Sequence, residues 1–152
     1  MDPLLLGTAT AFGLAASAGL NTTLPLLIVG LLARVGLLTL AAPYDAIASD
    51  VALAGLVLFS AAELAADKIP GADSIVHTIQ LPLAAAAGAI LFASQTSIVT
   101  EVSPGLAVLI GLLTAGGIHG ARASLRPAIT TITAGIGNPL TSLLEDGYAA
   151  VL

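Results

Sequence analysis

PLLLGTATAFGLAASAGLNTTLPLLIVGLLA, the run from Pro3 to Ala33, is 31 residues long and carries no charged side chain. As one helix it would reach roughly 46 Å at about 1.5 Å per residue, well beyond a hydrocarbon core of about 30 Å. Gly19-Leu20-Asn21-Thr22-Thr23-Leu24-Pro25 interrupts it. An amide and two hydroxyls between a glycine and a proline end one helix and start another. The run reads as two short helices that meet at a polar joint, at or inside a membrane.

The composition around this run agrees. Hydrophobic residues make up 57% of the 152 positions and charged residues 9%, against roughly 25% charged in soluble domains. Such a chain cannot clothe a soluble surface, and its apolar runs lack the polar positions of a soluble amphipathic bundle. Cysteine is absent, which removes disulfides, thiolate metal sites and cysteine nucleophiles. A net charge of -5 argues against nucleic acid as a partner. Met1-Asp2-Pro3 puts an acid where a signal peptide carries basic residues, so the first helix is expected to be retained. Aromatics are only 3%, with no Trp, so the interfacial belts are thin. Packing on a second copy is the expectation that follows.

Charge-free windows set the segments at about 3–19, 23–40, 51–66, 80–97, 104–121 and 127–150. All are expected to be helical, because an isolated strand leaves its backbone unsatisfied in lipid. Several are short for a full span, so the first two and the last are candidates for half-helices or re-entrant pieces. The fold class is an all-α polytopic membrane protein, one domain over 1–152, of about six short helical segments. With every segment spanning, the basic-residue distribution puts Lys68, Arg122 and Arg126 in the cytoplasm and the N-terminus outside. The expected location is the cell inner membrane, with the lipid bilayer as the first partner.

Four groups of residues stand out as chemistry. Asn21 precedes Pro25, and Asn138 directly precedes Pro139; each reads as an Asn-capped helix start. A helix N-terminus inside a membrane presents unpaired N–H groups that suit an anion, a carbonyl or water. The plainer reading is two helical connections at the bilayer surface. Glu63 and Asp67 share one helix face, and His119, Arg122 and Arg126 share another, with Pro127 expected to end that helix. The acidic face is expected to meet the basic face, since charges in a span are costly unless paired or snorkelling. Glu145 and Asp146 form a candidate proton or cation site near the Asn138 break, or simply acids at a helix end. Small residues recur every four positions at Gly7, Ala11, Ala15 and Gly19, and again at Gly111, Ala115 and His119; in lipid these are helix-packing seams. No metal site, cofactor or catalytic set is expected from these spacings.

The stretch from Glu63 through Lys68, Pro70 and Gly71 to Ser74 resembles a family of small prokaryotic membrane proteins, domain-of-unknown-function family 4126. The likeness extends to Ser17-Ala18-Gly19-Leu20-Asn21 with Leu24-Pro25-Leu26-Leu27, and to His119 with Ala121-Arg122-Ala123 and Arg126. It closes on Asn138-Pro139, Ser142 and Glu145-Asp146. The resemblance implies a helical bacterial membrane protein and no particular activity.

The functional expectation is transport, by a channel, a transporter or a lipid-translocating protein, and not an enzyme. Asn21 and Asn138 would line a polar centre, with Glu63, Asp67, His119 and Arg122 as a charged vestibule. A small anion or a phospholipid would meet Arg122 and Arg126. A homo-oligomer, a dimer by preference, is expected because 152 residues barely enclose a pathway. The alternative is a structural or assembly subunit, and the third reading is a membrane enzyme acting on lipid head-groups through Glu63 and His119.

Overall fold

A computed structural model describes residues 2–66, 73–95, 102–134 and 137–151, without the side chains of 66, 73–78, 138 and 139. The described residues form six α-helices and no strand. Helix α1 (Pro3–Leu20) starts on Asp2, whose side chain accepts from the Leu4 N–H at 3.0 Å, with a proline in the first turn. Asn21 turns extended, at φ -136° and ψ 126°, and ends it. Helix α2 (Leu24–Arg34) again has a proline in its first turn. It stops just before Gly36, whose φ of +77° favours glycine. A 3-10 turn at Tyr44–Ala48 leads into α3 (Asp50–Ala66). Helices α4 (Asp73–Ala93), α5 (Pro104–Thr133) and α6 (Gly137–Val151) complete the chain.

Three boundaries differ from the sequence reading. Helix α2 is shorter than the 23–40 window, because apolarity continues past the glycine that ends the helix. Helix α4 opens several residues before 80, and Pro82 lies inside it. Helix α5 runs straight through Pro127 and ends at Ala134, a left-handed cap at φ 50°. The expectation that Pro127 ends the helix was wrong. Hydroxyls line that stretch, with Thr130 donating to the Arg126 carbonyl at 2.9 Å and Thr131 to the Pro127 carbonyl at 2.7 Å. Neither bond replaces the one that Pro127 removes, since the carbonyl its missing N–H leaves free is that of Ala123, four residues earlier.

Helices α4 and α5 form the central pair, and α1 packs along both. Small residues make this possible. A Cβ on Gly111 would meet Phe92 Cβ at 2.7 Å and Ala89 Cα at 2.8 Å; one on Gly19 would meet the Ala115 carbonyl oxygen at 2.6 Å. The seams read from the four-residue spacing are therefore real close approaches, α1 to α5 and α5 to α4. Helix α6 lies against α1, α2 and α5, while α3 packs mainly on α2 and the 3-10 turn.

The distribution of side chains is inside out. Ala11, Ala15, Ala18, Ala84, Ala107 and Ala115 fill the interior, while leucines such as Leu5, Leu37, Leu58, Leu113 and Leu143 face outward. Polar Ser17, Asn21, Thr22, Glu63, Gln80, His119 and Arg122 are buried. A water-soluble domain rarely shows so much large apolar surface around a polar interior. Helices α1 and α5 are long and apolar enough to cross a membrane, and Leu24–Arg34 and Ile79–Ala93 are shorter apolar helices.

Candidate functional site: a polar centre at the first helix break

The opening N–H groups of α2 have no intrahelical acceptors, so the break must supply them. Asn21 Oδ1 accepts from the Leu24 N–H at 2.9 Å. The two N–H groups just before it are taken by an acid about 40 residues away. The Thr22 N–H donates to Glu63 Oε1 at 2.8 Å, and the Thr23 N–H to Glu63 Oε2 at 3.1 Å. The Thr23 hydroxyl donates to the same Oε2 at 2.7 Å and accepts from Ser60 at 3.0 Å. Gln80 Nε2 completes the set with a longer bond of 3.4 Å to Oε1.

Glu63 is 8% exposed, and among the described residues no ion pair reaches it. Its charge is met instead by hydrogen bonds and by the partial positive end of α2. The sequence reading offered this helix start to an anion, a carbonyl or water. The anion is the protein's own.

A second cluster reaches the break from the other flank. Arg122 donates from Nη1 to the Leu20 carbonyl, the end of α1, and from Nε to Glu145 Oε2 at 2.7 Å. Arg126 Nη2 approaches the same carboxylate oxygen at 3.4 Å. Asn21 Nδ2 donates to Asp146 Oδ1 at 3.1 Å. Neighbouring helical residues point roughly 100° apart, so Glu145 turns to α5 while Asp146 turns to α1. His119, buried on the same α5 face as Arg122, sits one turn earlier.

The predicted residues are thus partly brought together. Asn21, Arg122, Arg126, Glu145 and Asp146 form one cluster, joined to Glu63 through the break itself. Among the described residues the acid that Arg122 meets is Glu145 of α6, and Glu63, one half of the expected acidic face, bonds to Thr22, Thr23 and Gln80. Asn138 lies inside the first turn of α6, which opens at Gly137, so it is not the cap. The residue that Asn21 meets is Asp146, eight positions further and about 12 Å along the axis. Asp67 lies outside the described residues. No group of three His, Asp or Glu side chains suited to a metal occurs among the described residues.

Thr22, Thr23, Ser60 and Gln80 were missed. Backbone donors carry no mark in a sequence, but Gln80 carries one: it is an amide at the edge of the apolar run 81–93. It also borders a cavity of about 260 Å³ between α3 and α4. Thr22, Thr23, Glu63 and Gln80 form the inner end of that cavity, and exposed Phe59, Ile79 and Leu83 form its outer walls.

No curated protein and no solved structure matches this chain. A family model described as a domain of unknown function, DUF4126, matches residues 8–152. That span takes in the break, Glu63 and the Arg122–Glu145 pair, the same stretches that carried the resemblance. By a match over nearly its whole length, the chain belongs to the DUF4126 family.

Proposed function

We propose that this is a multi-pass inner-membrane protein that moves a small polar or amphiphilic solute, using the α1–α2 break as its polar centre. One observation carries the reading. Glu63, Arg122, Glu145 and Asp146 gather around one interrupted helix, inside a bundle whose outer surface is leucine. Ionisable groups in a membrane interior are costly, and they mark pathways and relays more often than scaffolding. Broken helices with exposed backbone ends are the usual setting for such sites. Among the described residues the charges of Arg122, Arg126, Glu145 and Asp146 offset one another, which disfavours a free anion as the solute, and Glu63 is left without an ion pair.

The test is flux. Proteoliposomes holding the purified chain are expected to pass a solute faster than empty vesicles, and Glu63→Gln is expected to abolish the excess. No excess for ions, water, amines or lipid tracers would defeat the proposal. The chain has no cysteine, so single introduced cysteines at exposed Leu37, just past α2, and exposed Ile132, in the last turn of α5, report the topology through their labelling from either side. A second reading, a structural or assembly subunit, is favoured by the internal hydrogen bonds that fill both clusters. It predicts a stable protein with no flux, and loss of a partner complex when Arg122 is replaced.

A further inference from the structure

Helix α3 leans on α2 and the 3-10 turn, and the cavity of about 260 Å³ separates it from α4. The inner end of this cleft is made of acceptors. A carboxylate offers about four acceptor positions, and those of Glu63 are taken by two N–H groups, one hydroxyl and the 3.4 Å bond from Gln80. That last bond commits the Gln80 amide nitrogen to Glu63. Its Oε1 is then left buried without a hydrogen-bond partner, in a side chain only 6% exposed. An orphaned buried carbonyl costs about 1–3 kcal/mol, and water or a ligand donor relieves it. The outer walls are apolar and open outward, with Phe59 66%, Ile79 58% and Leu83 50% exposed.

The geometry points to a binding site for a small organic ammonium ion with an apolar body, entered sideways between α3 and α4. One ammonium N–H meets Gln80 Oε1, and the positive charge lies beside the Glu63 carboxylate, whose bond from Gln80 Nε2 stays in place. The positive charge matches a buried carboxylate that no cation pairs with among the described residues. The apolar body lies against Phe59, Ile79 and Leu83. Anions find no free donor among the described residues of this cleft, and neutral alcohols gain the hydrogen bond without the charge. An engineered cavity of about 150 Å³ holds benzene, so this one accommodates roughly ten non-hydrogen atoms. The inference deepens the transport reading by naming a solute class, and rests on it only for the claim that the bound cation is moved.

Equilibrium dialysis of the full chain in nanodiscs, with empty nanodiscs as blank, tests it using 2-phenylethylammonium and 2-phenylethanol. Saturable binding of the ammonium at least tenfold tighter than the alcohol is expected. Glu63→Gln is expected to erase the preference, and Gln80→Leu to weaken the ammonium severalfold. Leu83→Trp, at the exposed wall, is expected to weaken both probes tenfold or more, and it tests the cleft even where Glu63→Gln does not fold. No saturable binding above the blank, equal affinities for the two probes, or unchanged affinities in Leu83→Trp overturns the site. Binding without flux defeats the transport reading alone; flux of another solute without ammonium binding defeats this inference alone.

Discussion

Glu63 and Glu145 approach the same helix break from opposite flanks, and they are held by different physics. Glu145 sits against two guanidinium groups, at 2.7 Å from Arg122 and 3.4 Å from Arg126. Among the described residues Glu63 has neutral donors alone, two from the backbone, one hydroxyl and one amide. The first arrangement is an ion pair that ties α5 to α6 and, through the Leu20 carbonyl, to the end of α1. The second is a plug in the N-terminus of α2. An ion pair in a low-dielectric interior is hard to break from one side, because it strands the remaining charge. A carboxylate held by dipoles gives up one bond at a time. The difference separates a fastening from a site that can exchange partners.

Mutations that act on one flank alone test this contrast. Arg122→Leu has the largest expected effect. It leaves Glu145 without its closest cation and the Leu20 carbonyl without this donor, and should cost about 3–5 kcal/mol. Chemical unfolding in detergent measures it, and the Arg122→Leu, Glu145→Leu double variant should lose less than the sum of the two. A simple sum would mean the pair is not the fastening.

Glu63→Leu comes next. It strands the Thr22 and Thr23 N–H groups, for about 2–3 kcal/mol from two lost partners, while Glu63→Gln keeps one acceptor and costs less. A loss with Glu63→Leu as large as that with Arg122→Leu would erase the contrast. Asn21→Ala touches both flanks, removing the cap on Leu24 and the donor to Asp146, and should cost about 1–2 kcal/mol. Combined with Glu63→Gln it should be non-additive through the shared break, whereas Glu63→Gln with Arg122→Leu should add within about 0.5 kcal/mol. The smallest effect belongs to Arg34→Ala. Its pair with Asp50 has side chains 49% and 82% exposed, and should contribute less than about 1 kcal/mol.

The class of the fold was legible in composition, and the break at Asn21 in the residues that flank it. The seams at Ala11, Ala15, Gly19, Gly111 and Ala115 were legible because close helix approach leaves no choice but small side chains. Partners were not. Glu63 bonds to backbone N–H groups 40 and 41 positions earlier, which any residue type would supply. Arg122 was expected to meet the acidic face of Glu63 and Asp67, and the packing of α6 on α1 and α5 brings Glu145 to it, a partner no spacing marked. Asn138-Pro139 looked like a stronger helix start than Asn21, yet the acid that matters on that helix lies two turns further in. Local capping rules describe how a helix begins, and say nothing of which turn faces the centre.

The attachment of α3 has one more consequence. This helix rests on α2 and the 3-10 turn, and across the cleft to α4 it is held at Glu63 by Gln80. A segment anchored at so few points opens as a unit at less free energy than the whole bundle requires. In a pulling experiment α3 should detach as an early discrete step, before the α1–α4–α5 trio yields. Its release force should drop when Glu63 is replaced and stay unchanged when Arg122 is.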